Sequence, residues 1–154
     1  MEKEQLTFIV PAYNAEATLA TTLDSIVRQT SQSWKLIIVN DGSTDSTQAI
    51  TQKYVQKYPG KVRSLYQQNK GLGGARNSGM DLADTPYISF LDSDDWVKAD
   101  YVKNITEQIE KCRKEKPEII LTLPEIYDEN SRCLQPWYDE SLFNSIFPQD
   151  GICI

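Results

Sequence analysis

Short apolar runs rich in β-forming residues alternate along the chain with segments of helical spacing. The runs are nearly continuous rather than alternating, which is typical of parallel strands covered on both faces. This pattern predicts five strands: Leu6 to Val10, Lys35 to Val39, Val62 to Tyr66, Tyr87 to Leu91 and Glu118 to Leu123.

Between the predicted strands, apolar residues recur at i, i+3 and i+4, so each segment has one apolar face. Alternation of strand and helix predicts a doubly wound α/β fold, a mostly parallel, Rossmann-like sheet with helices on both faces and right-handed crossovers. The four predicted stripes are Leu19, Leu23, Ile26 and Val27; Ile50 and Tyr54; Leu72, Ala75, Gly79 and Leu82; and Val97, Tyr101, Ile105, Ile109 and Cys112.

Length and composition predict one soluble domain with a real core. The chain has 154 residues, of which 40% are hydrophobic. It contains no apolar run of the ~20 residues needed to cross a bilayer, and its start lacks the features of a signal peptide. Cys112, Cys133 and Cys153 are odd in number and widely spaced, which favours a reducing compartment. We therefore expect a cytoplasmic protein.

Charge and the lack of histidine exclude several functions. The net charge of −6 provides no basic field for nucleic acid, so an anionic ligand needs local cations or a bridging metal. The chain has no histidine, which removes imidazole zinc sites, serine–histidine and cysteine–histidine pairs and the usual general base. Acid–base chemistry must fall mainly to carboxylates.

The aspartates after the fourth predicted strand suit a metal ion. Asp92 and Asp94 project to one side of an extended backbone and Asp95 to the other. Two like charges ~4 Å apart repel by roughly 4 kcal/mol at an effective dielectric of ~20, which a divalent cation or a shared proton must offset. Oxygen ligands favour Mg or Mn, with Ca as an alternative. The alternative is that these residues end a strand and cap a helix, and for Asp95 we expect capping.

Polar loops follow the other predicted strands, where open α/β sheets bind ligands. Tyr13 is either an aromatic lid on the core or a stacking surface for a nucleobase, and Asp41 is either a turn residue or an acceptor for base N–H groups. Asn14 is a candidate cap for the first helix, as Ser43 or Thr44 is for the second. Lys70 and Arg76 supply local positive charge.

Four motifs in chain order closely resemble the family 2 glycosyltransferases of the GT-A fold, over roughly residues 5 to 125. The resemblance implies transfer of a sugar from a nucleotide-activated donor, commonly a UDP-sugar, to a hydroxyl acceptor with inversion, assisted by Mn or Mg. The motifs are Phe8 to Asn14, Ile38 to Asp45, Asn69 to Gly71 with Ala75 to Gly79, and Phe90 to Asp95.

Carried over by position, the resemblance implies a role for each matching residue. Tyr13 and Asp41 become base contacts, and Asp92 becomes a ribose or metal-shell residue. Asp94 becomes the direct metal ligand that joins the protein to the donor diphosphate. The nucleotide-binding set is then Pro11, Tyr13, Asp41, Lys70, Arg76 and Asp92, and the metal set is Asp94 and Asp92.

The end of the chain departs from the family pattern. Inverting transfer needs a base for the acceptor proton, and in the family this carboxylate lies well downstream of the aspartates, so we expect it beyond Ile154. We expect residues 1–125 to form the nucleotide-sugar-binding α/β domain and residues 126–154 to begin an acceptor-side region that is incomplete. The chain is then truncated relative to the family.

Two other functions stay open. One is a non-catalytic nucleotide-binding or interaction module that lacks the base and the acceptor site. The other is a nucleotidyltransferase, although Pro11 to Asn14 is not the glycine-rich basic loop expected after its first strand. The expected partners are a nucleotide-sugar and a glycan or lipid-linked acceptor, with peripheral attachment at the inner face of the membrane as a second location. Instead of packing against the rest of the acceptor-side region, three apolar residues near the end of the chain could form a homodimer contact: Trp137, Phe143 and Phe147.

Overall fold

The computed structural model of the protein describes residues 4–111, 125–127 and 133–136. The chain divides into two compact units, Met1–Thr106 and Glu107–Ile154. The predicted fifth strand and the residues Cys112, Trp137, Phe143, Phe147 and Cys153 lie outside the described residues, and the predicted domain limit after residue 125 stays a prediction. The elements are β1 (Leu6–Ala12), α1 (Leu19–Val27), β2 (Trp34–Asn40), α2 (Thr47–Lys57), β3 (Val62–Tyr66), α3 (Gly71–Met80), β4 (Tyr87–Phe90), α4 (Tyr101–Lys111), β5 (Glu125–Tyr127) and β6 (Cys133–Pro136).

The first unit is built on a parallel sheet with the strand order β3-β2-β1-β4. This arrangement confirms the predicted α/β class and four of the five predicted strands. The chain adds β2 and β3 on one side of β1 and then crosses back to place β4 on the other side. The direction of strand addition therefore reverses between β1 and β4, which is where open α/β sheets form a ligand crevice.

Burial follows the position of each strand in the sheet. All seven residues of β1 are buried, and so are all but one of β2, as their continuous apolar sequence predicts. The outer strands of the described sheet differ, because β4 alternates between half-buried and exposed positions and leaves Ile88 and Phe90 exposed. The prediction of full burial is wrong for β3 and β4, since each has a neighbouring strand on only one side within the described residues.

Helix α3 packs closely on one face of the sheet. Its Gly79 lies against β1, and a Cβ added there would come within 2.3 Å of Ile9 Cγ2 and 3.3 Å of Val39 Cγ2. Side chains alternate along a strand, so Phe8 faces the other way. The Phe8 ring meets that of Tyr101, with 5.7 Å between centroids. Glycine at 79 thus sets the distance between α3 and the sheet.

The predicted apolar stripe holds best in α1 and fails in α2, where Ile50 and Tyr54 are only half-buried and the buried residues are Thr47 and Thr51. Leu19, Leu23 and Ile26 of α1 are fully buried. Leu72 is exposed although it was predicted to be buried, because it lies in the first turn of α3 at the rim of the sheet. Val97 lies before α4 rather than in it, and Val102, absent from the predicted stripe, is fully buried.

In the second unit, the described residues beyond the end of α4 form one antiparallel pair of short strands, β5 and β6. The pairing is irregular between Ile126 and Tyr127. Within the described ranges, no helix has both the length and the apolar content needed to span a bilayer.

Candidate functional site

Three side chains leave the sheet side by side at its carboxyl edge. Ala12, Asn40 and Tyr66 are neighbours in the strand register. The pairing continues one residue further, because the Asp41 amide donates to Ala12 O at 2.9 Å and the Gln67 amide to Asn40 O at 3.0 Å. Tyr13, Asp41 and Gln67 therefore form one row across β1, β2 and β3.

The fourth strand brings the aspartates to the same edge. Ile9 of β1 pairs with Phe90 of β4, and the Leu91 amide donates to Ile9 O at 3.1 Å. Continuing this parallel register by two residues places Asp92 level with Pro11. Loops after β1 and β4 thus meet at the point where the strand order reverses, as the sequence predicts.

Asp41 is a buried carboxylate with one oxygen fully engaged. Its side chain is 3% exposed. Oδ1 accepts hydrogen bonds from Gln67 Nε2 at 2.7 Å and from the Lys70 amide at 2.9 Å. Oδ2 accepts no hydrogen bond from the described part of the chain. The simple turn interpretation of Asp41 accounts for neither contact, whereas a base acceptor needs a fixed carboxylate with one open oxygen.

Tyr13 and Pro11 occupy different environments. Tyr13 is 55% exposed, so it does not cover the core and more than half of its surface is available to a ligand. Pro11 is buried within β1. Of these two residues in the predicted nucleotide-binding set, only Tyr13 therefore presents a substantial side-chain surface to the solvent.

The loops after β1 and β2 are joined through Asn14. Its backbone has a φ of +48°, and its amide donates to Ser43 Oγ at 3.0 Å. In return, Asn14 Oδ1 accepts from the Thr44 amide at 2.9 Å. The capping interpretation of these three residues is wrong, because α1 begins at Leu19 and α2 at Thr47. Their hydrogen bonds hold the two loops together.

Glu16 and Asp45 extend this connection with a reciprocal pair of hydrogen bonds. The Glu16 amide donates to Asp45 Oδ2 at 3.0 Å, and the Ser46 amide donates to Glu16 Oε2 at 2.9 Å. Desolvation raises the pKa of Asp45, but hydrogen bonds from Thr47 and from the Glu16 amide outweigh it and leave the pKa below its ordinary value. The carboxylate is thereby stabilised in its charged form.

Glycines allow the second and third loops to approach each other. Gly42 has a φ of +78°, and a Cβ there would lie 2.9 Å from the Asn69 amide nitrogen. Lys70 is exposed and immediately precedes α3, and its backbone amide already binds Asp41. A side chain at position 42 would push the third loop, and with it the Lys70 amide, away from Asp41.

Arg76 connects α3 to the aspartate loop. Its Nη2 lies 2.8 Å from Asp92 Oδ1, and its guanidinium carbon lies 5.5 Å from the centre of the Phe90 ring. Both members of the ion pair are partly exposed. Arg76 Nε is buried and has no hydrogen-bond partner in the described structure. The guanidinium is therefore held beside the aspartates with donor capacity to spare.

The aspartates form a tight turn. The Asp95 amide donates to Asp92 O at 3.1 Å, which places Ser93 and Asp94 at the turn's centre. Asp94 is exposed and makes no ion pair or hydrogen bond within the described residues. Burial raises the pKa of Asp95, and the negative charges of Asp94 and Asp92 raise it further. The predicted capping role of Asp95 is wrong, because α4 begins six residues later, at Tyr101.

Polar side chains of α1 form hydrogen bonds with the backbone of this loop. Thr22 Oγ1 donates to Ser93 O at 2.9 Å, and Ser25 Oγ accepts from the Val97 amide at 3.2 Å. Gln29 is 3% exposed and bonds to the loop at two points, donating to Lys98 O at 2.6 Å and accepting from the Val102 amide at 2.9 Å. Thr22 and Ser25 of α1, together with Gln29 just after the helix, thus fix both the turn and the start of α4.

The carboxylates fit a metal site that the protein and a bound ligand would form together, rather than one that the protein forms alone. Asp92 and Asp94 offer the oxygen donors that Mg and Mn prefer. Within the described residues, however, no three metal-binding side chains lie close enough together to hold an ion. Further oxygens from a bound ligand, such as a diphosphate, would have to complete the coordination.

Sequence reasoning missed Gln67 and the polar face of α1. Gln67 is a buried polar residue directly after β3, in the row of Tyr13 and Asp41, but both its burial and its place in the row appear only in the structure. Thr22, Ser25 and Gln29 follow each other at helical spacing, i, i+3 and i+7. They were overlooked because the apolar stripe of α1 defined its inner face.

Comparison with known proteins establishes the class to which this fold and site belong. Residues 7–136 match the family described as Glycosyl transferase family 2. The chain belongs to this family, and the four-stranded sheet confirms the GT-A type of α/β fold that the motifs predict.

Curated relatives are bacterial proteins much longer than this chain. Glycosyltransferase GlyA of Streptococcus pneumoniae is 39% identical over 106 residues, which cover 69% of this chain and 15% of GlyA. The minor teichoic acid biosynthesis protein GgaB of Bacillus subtilis is 38% identical over 109 residues, covering 70% of this chain and 12% of GgaB. The chain therefore spans only a small part of each relative.

Solved structures share the fold. Staphylococcus aureus TarS, residues 1–349, superposes with a TM-score of 0.69 at 26% identity, covering 83% of this chain and 43% of that one. The same protein in complex with UDP-GlcNAc also gives 0.69 at 26% identity. The Pyrobaculum calidifontis mannosyltransferase PcManGT, solved with GDP-Man and Mn2+, has a TM-score of 0.63 at 22% identity, covering 70% of this chain and 32% of that one, and supports the fold alone.

Proposed function

We propose that this chain binds the donor of a glycosyltransferase that moves a sugar from a UDP-sugar to a hydroxyl acceptor with inversion, assisted by Mn or Mg. The observation that carries the proposal is the meeting of four loops at the reversal point of the sheet. There, an exposed aromatic ring, a buried carboxylate with one open oxygen and an arginine–aspartate pair lie along one edge. The UDP-GlcNAc complex of the TarS relative supports the choice of nucleotide.

The base end of the pocket is formed by Tyr13 and Asp41. A nucleobase stacks on the open ring of Tyr13, and its ring N–H donates to Asp41 Oδ2. A flat aromatic face and a fixed carboxylate together recognise a planar heterocycle that presents a donor.

The diphosphate end of the pocket is formed by Asp92, Asp94 and Arg76. Asp94 and the phosphate oxygens would hold the divalent ion. Asp92 would either belong to the coordination shell of the ion or bind the ribose of the donor. When bound, the ion supplies Lewis-acid stabilisation of negative charge on the leaving diphosphate. Arg76 adds a positive charge whose position is fixed by Asp92 and Phe90.

In the proposed reaction, the acceptor oxygen attacks the anomeric carbon from the face opposite the diphosphate. One carbon–oxygen bond forms as the bond to the diphosphate breaks, which inverts the configuration. The acceptor proton passes to a carboxylate base, which stays a prediction for the sequence beyond Ile154. Cytoplasmic location, with attachment to the inner membrane face, is part of this proposal.

Calorimetric titration tests the donor site. We expect UDP to bind the chain with Mn present, and we expect Asp94→Ala to abolish the metal-dependent part of the affinity. Asp81→Ala is the matched control. Asp81 is also an exposed aspartate, but it follows the last residue of α3, at the end of the helix away from Lys70. Equal UDP affinity in the wild type and Asp94→Ala would exclude the metal role of Asp94.

The alternative is a binding module without transferase activity. It makes the same binding prediction, so a turnover assay must separate the two. UDP release from UDP-GlcNAc in the presence of glycan acceptors would favour the enzyme, whereas tight UDP binding without turnover by the full-length protein would favour the module.

A further inference from the structure

We propose that Gln67 is a specificity-determining residue that makes the pocket select a base with a single ring N–H donor, such as uracil, over guanine. It does so by fixing Asp41 so that only one carboxylate oxygen is open. The inference rests on the proposed function, because it concerns how the same site chooses its nucleotide. Gln67 itself needs no contact with the base.

The hydrogen bonds on Asp41 carry the argument. A carboxylate oxygen has two lone pairs, and those of Asp41 Oδ1 are both used, by Gln67 Nε2 at 2.7 Å and the Lys70 amide at 2.9 Å. Only Oδ2 is left for a ligand. The Lys70 donor is a backbone amide that does not depend on the side chain at position 70, whereas the other donor is the Gln67 side chain itself, so Gln67 is the variable part of this arrangement.

The orientation of the Gln67 amide follows from its neighbour. A reversed amide would place its carbonyl oxygen against the Asp41 carboxylate, where two acceptors repel each other. In the observed orientation, Gln67 Oε1 is buried without a hydrogen-bond partner in the described structure. A buried acceptor without a partner is destabilising, so the contact with Asp41 is kept at a cost to the fold.

The chemistry of the bases then sets the preference. Uracil offers one ring N–H between two carbonyl groups, which suits one open carboxylate oxygen. Guanine offers a ring N–H and an adjacent amino group, which together suit a carboxylate with both oxygens open. Cytosine presents an unprotonated ring nitrogen at the corresponding position, which a carboxylate repels. The fixed Asp41 therefore favours UDP over both GDP and CDP.

The test is the ratio of UDP to GDP affinity, measured by calorimetry on the 154-residue chain with saturating Mg. We expect Gln67→Leu to free Asp41 Oδ1 and to lower this ratio by about tenfold, the effect of one hydrogen bond to a charged group. Gln68→Leu is the matched control, because the adjacent Gln68 is exposed, and it should leave the ratio unchanged. Gln67→Met, which keeps the length of the side chain, repeats the comparison if the leucine variant does not fold.

The outcomes separate this inference from the proposed function. If the wild type binds UDP and a folded Gln67 variant keeps the wild-type ratio, the specificity role of Gln67 is wrong while the donor site stands. If the wild type binds neither UDP nor GDP, the donor site itself is wrong. A lower ratio in Gln67→Leu together with an unchanged ratio in Gln68→Leu supports the inference.

Discussion

At the scale of single residues, the site contains groups whose environments differ more than their sequence context suggests. Tyr13 and Asp41 each follow directly after a central strand, yet one side chain is 55% exposed and the other 3%. The difference comes from the third loop, whose Gln67 and Lys70 close over Asp41, while the described structure places no comparable cover on Tyr13. Tyr13 therefore offers an exposed aromatic surface, whereas Asp41 offers a buried hydrogen-bond acceptor with a fixed orientation.

The exposure of Tyr13 leads to a prediction about stacking. Tyr13→Ala should weaken UDP binding by ~1 to 3 kcal/mol, the range for a base stacked on an aromatic side chain. Tyr13→Phe keeps the ring and loses only the hydroxyl, so it should bind UDP nearly as well as the wild type. Calorimetry on both variants checks this, and comparable losses in the two would argue for a hydroxyl contact instead of stacking.

The residues that sequence reasoning identified were those with a distinctive type in a distinctive place. Asp41, Arg76 and Asp92 could be predicted because charged groups at strand ends are informative. Gln67 could not, because a glutamine beside a second glutamine carries no signal until the strand register places it next to Asp41. The partners of a buried carboxylate come from other strands, and a single sequence does not specify them.

At the scale of elements, α1 does more than cover the sheet. Its apolar residues pack inward, while Thr22 and Ser25, with Gln29 just after the helix, bond to the loop that carries the aspartates. A helix following β1 therefore positions residues that follow β4. We therefore expect the geometry of the proposed metal site to depend on these contacts, in which all three side chains bond to backbone groups of the loop.

Thr22 offers a direct test of that dependence. Thr22→Val keeps the shape of the side chain but removes the donor to Ser93 O, which should cost ~1 kcal/mol of stability and weaken Mn-dependent UDP binding severalfold. Thr22→Ser keeps a hydroxyl and should restore the binding. Thr21→Val is the control, because Thr21 is exposed on the same turn of α1. An unchanged Mn dependence in Thr22→Val would mean that the turn holds its shape unaided.

The other end of the sheet is stabilised by an ion pair that should depend on pH. Lys35 Nζ lies 2.9 Å from Asp84 Oδ1, and the hydrogen bond from Lys35 holds the pKa of Asp84 below its ordinary value. A lowered folded-state pKa stabilises the fold above the unfolded value of about 3.9. This contribution is lost as the pH falls through the folded-state pKa.

We therefore expect Asp84→Asn to lower the free energy of unfolding at pH 7 by ~0.2 to 1 kcal/mol, the range for an ion pair at the protein surface. The difference from the wild type should shrink below pH ~4 and vanish once both forms carry a neutral side chain. Urea unfolding at neutral and acid pH measures it. A difference that stays constant down to the lowest pH would assign the effect to packing.

At the scale of the whole molecule, the periodicity of the sequence was enough to predict the fold class and the central strands. It overestimated burial in β3 and β4, because a run such as Tyr87 to Leu91 does not reveal that its strand has only one neighbour among the described strands. It also placed the last helix too early, since Trp96 and Val97 continue an apolar spacing while their loop is bonded to α1 instead. Tertiary contacts decided both points.

The row formed by Tyr13, Asp41 and Gln67, and the ion pair beside it, come entirely from residues of the first unit. In the proposed function, nucleotide preference is therefore encoded in about a hundred consecutive residues. In evolutionary terms, such a segment would be portable: recombination downstream of α4 could attach it to different acceptor-recognition regions without altering the donor that it accepts. Chimaeras with this junction would all keep the same nucleotide preference, while their different acceptor-recognition regions would give different products.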